Sequence, residues 1–360
     1  MRRLSVLLAA VLLLTGCSGL PRPREMGDMA LLRTMGVDKR ENGLAVTVST
    51  GPRAKGIQAE GQPALMLSAV GKSLSAACLS MQGLSDSYVF FGYVDQLLVG
   101  EELARDGVIP VLDYFARDRE LGLGAQLWVV REASAEDAVR AGGDQGVDSR
   151  LSTLQTDGKM GVAALPRTAG EVYADLLEWG SAYLPALVLA QGEDTALAER
   201  GYAILKGEAL AGFLDGEAAQ GLELLAGRPE QDILDVELGG QLVSVRVTGA
   251  DTRCKLEFEG DDLTGMTVTC RVDAQLAEYR IPLSDTERER LISVLEAREC
   301  ARMEAALKQL QGWQADCLGL GHRAALSSPG KWQTVKADWP RHFEALDVTV
   351  RVNMTLQEGN

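Results

Sequence analysis

The amino-acid sequence predicts an α+β protein of more than one domain. The N-terminal half is expected to be an α/β domain built on a mixed sheet, and the C-terminal half an antiparallel sheet packed with one long helix. Strand-like apolar runs alternate with helical patterns over residues 29–141. Apolar residues recur at helical spacing over residues 285–315. Near the end, Val348, Val350 and Val352 alternate with polar residues, which is typical of a half-buried strand.

The first residues carry the signature of a lipoprotein signal peptide. Two early arginines are followed by a short apolar core at residues 4–14 and then by small residues before Cys17. The apolar core is too short to span a bilayer. We therefore predict a signal peptide over residues 1–16, with lipidated Cys17 and a tether making up residues 17–28. The alternative is a plain secretory signal with a chance cysteine.

Residues 29–141 are predicted to form the N-terminal α/β domain. Its expected strands are 30–38, 44–50, 88–99 and 125–130. Its expected helices are 71–83, 101–116 and a third that opens at Ser134. Strands that alternate with helices are typical of an α/β domain.

Residues 142–200 are predicted to be a middle segment or a small second domain. Residues 142–161 are rich in glycine, aspartate and other polar side chains, which indicates a junction or a mobile loop. A helix over residues 168–179 and a buried strand over residues 184–190 are expected next. Residues 192–200 are expected to be a linker.

Residues 201–360 are predicted to form the C-terminal α+β domain. It should open with a hairpin over residues 202–214, followed by a helix over residues 215–226. Ser284 and Glu287 have the spacing of a capping box, so the long helix should begin there and run to about residue 315. This helix is expected to cover an antiparallel sheet.

Two cysteines in the C-terminal half are candidates for a disulfide. One register of a hairpin closed by residues 260–264 aligns three apolar pairs, namely Cys254 with Cys270, Leu256 with Val268, and Phe258 with Met266. Directly opposed residues lie about 4.5–5.5 Å apart, within reach of a disulfide. We therefore hypothesise a Cys254–Cys270 bridge, worth ~3 kcal/mol by loop entropy. Two reduced cysteines on one core face are the alternative.

The other cysteines predict no further bridge. Cys300 and Cys317 are expected to share the long helix, ~25 Å apart, where they cannot pair. Cys78 lies in an apolar helical pattern, which favours a buried thiol over a nucleophile. The sequence does not determine the redox states of these three cysteines.

Composition argues against several classes of protein. The net charge of −15 disfavours nucleic acid, whose binding needs a basic face. The chain has only two histidines, His322 and His342, which leaves little imidazole for acid/base or metal chemistry. Cys317 and His322 are at most two ligands and do not make a metal site. We predict no catalytic residues, no metal and no cofactor, and hence no enzyme.

Several stretches, taken in order, resemble the Ger(x)C (GerAC-type) family, the C-subunit lipoproteins of spore nutrient germinant receptors. The resemblance covers nearly the whole chain after the signal peptide. Its pieces are residues 24–25, 29–31 and 35–39 (Met35-Gly36-Val37-Asp38-Lys39), 99–107 (Val99-Gly100-Glu101-Glu102-Leu103), 112–113 and 117–120, 201–206 and 210–214, then Asp316, Gly319, Gly321, Trp332, Trp339 and the closing valine strand. Two departures are Tyr93, where a histidine is expected, and the five additional cysteines.

The resemblance implies a non-enzymatic receptor subunit, lipid-anchored to the outer face of the cell membrane or of the spore inner membrane. Its partners would be a membrane-embedded A subunit and a permease-like B subunit, which would bind the nutrient. The family brings no catalytic residues to carry over. The alternatives are an extracytoplasmic solute-binding lipoprotein of a transporter, which would need two similar lobes, and a hydrolase, for which no convergent set of side chains is evident.

Overall fold

The computed structural model describes residues 29–51, 63–161, 163–190, 197–228 and 232–357. Within these ranges the chain forms one sheet of nine strands and one of four, each packed with helices. The predicted α+β class with several domains is confirmed. The predicted signal peptide, the lipidated Cys17 and the tether lie outside the described residues.

The first sheet is mixed, as predicted. Its order is β3-β2-β1-β5-β6-β7-β8-β9, with β4 paired to the start of β1. Strands β1, β5, β6 and β7 are parallel to their neighbours within this group, and the outer pairings are antiparallel. Its strands are β1 (Met29–Arg40), β2 (Gly43–Thr50), β3 (Met66–Gly71), β4 (Tyr88–Phe90), β5 (Gln96–Gly100), β6 (Gln126–Val130), β7 (Ser181–Leu189), β8 (Leu197–Lys206) and β9 (Ala209–Leu214).

Helices cover this sheet, most of them at the predicted places, but one predicted helix and one predicted strand are each divided in two. Its helices are α1 (Leu74–Met81), α2 (Glu101–Asp106), α3 (Ile109–Arg117), α4 (Ala135–Arg140), α5 (Asp148–Lys159) and α6 (Ala169–Trp179). The predicted helix over residues 101–116 is broken at Gly107, whose φ of 145° no helix can hold. The predicted strand over residues 88–99 is two strands, β4 and β5, because the chain turns between them.

The stretch predicted as a junction or loop, residues 142–161, contains helix α5. The sequence pattern missed this helix because only a few of its side chains are apolar. Leu151 and Leu154 are buried, and most of the remaining residues are polar and half-buried or exposed. Two buried leucines at (i, i+3) spacing give too weak a periodicity to outweigh the glycines and aspartates around them.

The second sheet is formed by the long strands of the C-terminal half. Its order is β10-β11-β12-β13. The elements are β10 (Ile233–Leu238), β11 (Gln241–Glu259), β12 (Asp262–Glu278) and β13 (Asp347–Gln357), with helices α7 (Gly216–Ala226), α8 (Asp285–Gly312), α9 (Leu320–Ala325), α10 (Pro329–Val335) and α11 (Trp339–Ala345). No helix among the described residues is long and apolar enough to cross a bilayer.

The hairpin over residues 202–214, predicted to open the C-terminal domain, extends the first sheet. Strand β8 pairs with β7, with Ile204 opposite Tyr183. Ile204 points into the core of the C-terminal half, whereas Ala203 and Leu205 point into the core of the first sheet. A hairpin that is apolar on both faces can therefore join the two cores, and the large sheet crosses the predicted boundary at residue 201.

The final strand is parallel to its neighbour, which corrects the prediction of a purely antiparallel sheet. β13 runs alongside β12, with Val350 opposite Val268. The connection between them contains α8 and three short helices, long enough for the crossover that a parallel pair needs. The free edge of β13 is protected, since Glu296 accepts a hydrogen bond from the Met354 backbone N–H at 2.8 Å.

The long helix begins as predicted. The Ser284 hydroxyl accepts from the Glu287 N–H, and the Glu287 carboxylate accepts from the Ser284 N–H, which is a complete capping box. The helix ends at Gly312, so Cys317 lies beyond it and does not share the helix with Cys300 as predicted.

The predicted register of the cysteine hairpin is wrong by two residues. Cys254 faces Val268, and Cys270 faces Thr252. The turn is shorter than predicted, and a bulge lies next to Phe258, so the two cysteines become diagonal neighbours. Diagonal positions are roughly 7–8 Å apart, farther than the ordinary Cα separation across a disulfide. Both cysteines are free thiols in the structure and face the same core.

We expect both thiols to label slowly in the native protein. Burial raises the pKa of Cys254 and of Cys270 to about 11, so less thiolate is present at pH 8 than in the unfolded chain. Alkylation should be about 100-fold slower before unfolding in urea than after it, and should accelerate as pH rises toward 11. Peptide mapping of the non-reduced protein is the control, and a peptide joined through Cys254 and Cys270 would contradict this register.

Candidate functional site

A charged cleft of about 470 Å³ lies at the carboxyl ends of parallel strands β1, β5 and β6. Ligands of open α/β sheets bind outside this edge, because the loops that follow the strands converge there. We call it the carboxyl-edge cleft. It is lined by Asp38, Lys39, Arg40, Glu101, Glu102, Arg105, Glu132, Ala133 and Ser134.

Asp38 is buried beneath this cleft and has a structural task. Its carboxylate accepts hydrogen bonds from the Ala135 and Glu136 N–H groups, both at 2.8 Å, at the start of α4. Burial raises the pKa of Asp38, although these two hydrogen bonds act to lower it. Asp38 therefore ties the end of β1 to the first turn of α4, where a carboxylate also complements the helix dipole.

Most charges at this edge neutralise one another. Glu101 pairs with Arg105 at 2.6 Å and also accepts from the Glu132 N–H at 3.0 Å. Burial acts to raise the pKa of Glu101, but these partners lower it overall. Lys39 pairs with Asp106 at 2.7 Å. Side chains held in such pairs are poor proton donors and acceptors, so the cleft is better suited to recognition than to catalysis.

A second recess, of about 520 Å³, lies between the two halves of the chain. Trp179 at the end of α6 forms one wall, and Trp332 and Trp339 of the C-terminal half form the others. An adjoining recess of about 370 Å³ shares Trp179, Asp316, Trp339 and Pro340. We call the larger recess, of about 520 Å³, the interdomain cavity. It is lined by Glu178, Trp179, Asp316, Gly319, His322, Trp332, Gln333, Lys336, Ala337, Trp339 and Pro340.

The aromatic rings of the interdomain cavity contact one another in a chain. The centroids of Trp332 and Trp339 lie 5.1 Å apart at an interplanar angle of 67°. His322 lies between Trp332 and Trp179, at 6.4 and 6.1 Å. The contacts of Trp332 with Trp339 and with His322 are edge-on, a preferred geometry of aromatic pairs. The chain of rings therefore links α6 of the first half to α9–α11 of the second.

The polar groups of the interdomain cavity differ in how well they are satisfied. Asp316 is buried and accepts hydrogen bonds from the Leu320 N–H, the Gly321 N–H and the Trp339 indole N–H. Burial raises the pKa of Asp316, and these donors act against that rise. The Trp179 indole N–H is buried without a partner. Because the cavity is aromatic and lies between domains, it has the character of a small-molecule site.

The sequence-predicted site residues do not converge on either recess. Cys17 lies outside the described residues. Cys254 and Cys270 belong to the hydrophobic core of the C-terminal half, and Cys317 is buried while His322 is exposed. Among the residues the structure describes, no group of three or more His, Cys, Asp or Glu side chains could hold a metal. No local sequence pattern predicts the interdomain cavity, since the residues that form its walls lie about 150 positions apart in the sequence.

Comparisons with known proteins cover both halves of the chain. Residues 22–189 match the model of a family described as spore germination protein N-terminal domain. Residues 200–359 match that of a family described as spore germination B3/GerAC like, C-terminal. The two matches follow each other and leave few residues between them.

Two individual proteins are similar over most of their length. YfkR of Bacillus subtilis (strain 168), provisionally named as a spore germination protein, is 21% identical over 366 residues, covering 97% of this chain and 94% of YfkR. The crystal structure of the GerBC protein has a TM-score of 0.62 at 18% identity, covering 89% of this chain and 96% of that chain. At this identity the likeness to GerBC shows the fold alone. The two consecutive family matches carry the assignment: this chain belongs to the GerAC-type family of spore germination proteins.

Proposed function

We propose that this protein is a non-enzymatic, lipid-anchored subunit of a spore nutrient germinant receptor, needed for assembly of the receptor or for its signalling. The observation that carries the proposal is the pair of consecutive family matches over residues 22–189 and 200–359. They support a C-subunit type of role in spore germination. The family is not known as an enzyme family, and the mutually paired charges of the carboxyl-edge cleft agree with a recognition role.

The anchor in this proposal is Cys17. After cleavage of residues 1–16, Cys17 would carry a diacylglyceryl group with two ester-linked acyl chains on its sulfur and often a third acyl chain on the new amine. Two or more chains bind a membrane almost permanently, because each buried methylene contributes about 0.8 kcal/mol. The protein would then work on the outer face of the cell membrane or of the spore inner membrane. Palmitate would be a typical acyl chain.

The partners in this proposal are the receptor's membrane-embedded A and B subunits. The B subunit, which resembles a permease, would bind the nutrient, and this chain would contact its partners through its surface. Neither nucleic acid nor a cofactor is part of the proposal. The net charge of −15 keeps the body away from anionic surfaces except where specific contacts hold it.

Complementation tests the anchor and the role together. In a sporulating host that lacks this gene, wild-type protein should restore germination with nutrients, and Cys17→Ala protein should remain in the soluble fraction and fail to restore it. Germination with non-nutrient triggers is the control and should be normal throughout. Membrane retention of the Cys17→Ala protein would contradict the anchor. Normal nutrient germination in the deletion strain, with no related gene present, would contradict the receptor role.

One observation favours a second candidate, an extracytoplasmic solute-binding lipoprotein. The interdomain cavity of about 520 Å³ is aromatic and has the size of a small-molecule site. A binding protein of the usual kind would have two similar lobes, whereas the two sheets here differ in size and topology. Strong thermal stabilisation of the isolated body by a single amino acid or sugar would favour this candidate over the receptor subunit.

A further inference from the structure

A surface with a single charged residue and several protruding apolar side chains lies beside the start of β1. It is formed by α1 and by the segment that continues through β4, residues 73–94, and we call it the β4 surface. Leu79 is 74% exposed, Leu84 57% and Tyr93 46%. Large apolar side chains exposed within one short segment are candidates for contact with a membrane or a partner.

The β4 surface avoids charge. Asp86 is the only charged residue between positions 73 and 94, whereas a segment of that length with the chain's average of 24% charged residues would hold about five. Its other exposed positions are serine, alanine and glycine. Apart from Asp86, contact with this surface would therefore desolvate no charged group of the segment.

This surface lies next to the point where the body meets its tether. Strand β4 pairs with the beginning of β1, with Tyr88 opposite Met29. The Tyr93 ring packs edge-on against Phe90, with 5.8 Å between centroids. The Gln82 side chain holds the end of α1 to β4 by hydrogen bonds of 2.8 and 3.0 Å to the backbone of the central β4 residue.

The tether limits which side of the body can face lipid. Cys17 precedes Met29 by 12 residues, a fully extended reach of roughly 40 Å and an r.m.s. reach of about 20 Å. A folded body of this size has a radius of gyration of about 20 Å, so the tether does not lead around it. An anchor at Cys17 would therefore hold Met29 and the β4 surface toward the membrane, with the carboxyl-edge cleft at the other end of β1 directed away from it.

We infer that the β4 surface rests on the headgroup region of the lipid bilayer, with Leu79, Leu84 and Tyr93 inserted at its margin. The inference rests on the proposed anchoring through Cys17. Three side chains would hold a free protein only weakly, but the anchor raises their effective concentration at the bilayer. A tyrosine at the interface keeps its ring among lipid and its hydroxyl in water. The anchor thus fixes the orientation of the body as well as its location.

The test places a single reporter on the β4 surface. The chain from Ser18 onward, with an N-terminal histidine tag in place of Cys17, is bound to phosphatidylcholine vesicles that contain a nickel-chelating lipid and brominated acyl chains. The variant Leu84→Trp reports contact with lipid through quenching of the added indole, after subtraction of the wild-type signal. The matched control is Ile281→Trp, which is 64% exposed and lies at the end of the β11–β12 ribbon far from its tip.

We expect bromine to quench about a third or more of the Leu84→Trp reporter and almost none of the Ile281→Trp reporter, since interfacial groups sit at the depth of the acyl boundary. Equal quenching of the two reporters, or none at position 84, would overturn the inference. If the reporter at position 84 is buried only when the membrane-embedded partner subunits are present, the β4 surface contacts protein. That result would also overturn the inference. Because the tag replaces acylation, none of these results depends on whether Cys17 is lipidated.

Discussion

Replacement of Arg302 by methionine should lower the free energy of unfolding by about 3–5 kcal/mol, because it breaks a buried ion cluster. Arg302 is 3% exposed and donates to Glu299, which is 2% exposed, at 2.9 Å. It also binds Asp232 at 2.9 Å and the Glu217 carboxylate at the start of α7. One guanidinium thus joins α8 to α7 and to the start of the second sheet.

The cost arises from the carboxylate left behind. Burial raises the pKa of Glu299, and the Arg302 charge is the main influence that opposes this rise. Without Arg302, the Glu299 carboxylate must either take up a proton or remain charged in the core. A double variant, Arg302→Met with Glu299→Leu, should therefore recover much of the lost stability, since it removes both charges.

Urea denaturation of the wild type, Arg302→Met and the double variant measures the free energy of unfolding. Arg290→Met is the control. Arg290 lies in the same helix and is exposed, so its replacement should change the free energy of unfolding by less than about 0.5 kcal/mol. Equal stability of Arg302→Met and Arg290→Met would show that the buried cluster contributes nothing. A double variant as unstable as Arg302→Met would contradict the explanation by an unpaired charge.

Replacement of Gly221 by alanine should also destabilise the protein, by about 1–3 kcal/mol or more, because α7 crosses α8 at this residue. A Cβ atom at Gly221 would lie 2.0 Å from the backbone oxygen of Arg302 and 2.5 Å from its carbonyl carbon. Because the clash is with backbone atoms of α8, rotation of a side chain cannot relieve it. The overlap should outweigh the roughly 1 kcal/mol by which alanine is favoured over glycine inside a helix.

Gly312→Ala is the matched control for this change. Gly312 is the last residue of α8, and no neighbouring atom lies within 4 Å of the Cβ that alanine would add. Thermal unfolding should show Gly312→Ala close to wild type and Gly221→Ala several degrees lower. A Gly221→Ala protein as stable as wild type would mean that α7 and α8 are not as close as the structure places them.

Local signals in the sequence predicted many of the helix starts and the final strand. Ser134 and Ser284 cap their helices as expected, because a hydroxyl and a carboxylate three residues apart satisfy backbone N–H groups within one turn. The alternation of valines from Val348 onward identified β13. These features depend on residues within a few positions of one another, so they can be read from the sequence.

Features that depend on distant pairing were predicted wrongly or not at all. The two-residue error in the Cys254 register came from a turn shorter than predicted, and the bulge next to Phe258 shifts the pairing back by one residue. The hairpin over residues 202–214 has the expected turn, but its membership of the first sheet depends on contact with β7. The parallel direction of β13 depends on where the crossover through α8 returns the chain.

The sequence by itself determined the α+β class, the approximate positions of many elements, the resemblance to the germination family and the prediction that Cys17 carries lipid. The tertiary structure alone decided that Trp179 meets Trp332 across the interdomain cavity, that Arg302 gathers three carboxylates, and that the β4 surface lies beside Met29. The physical reason is that periodicity and capping are interactions within a few residues. Cavities, buried ion clusters and sheet order arise from contacts between residues far apart in the chain, whose partners no local pattern specifies.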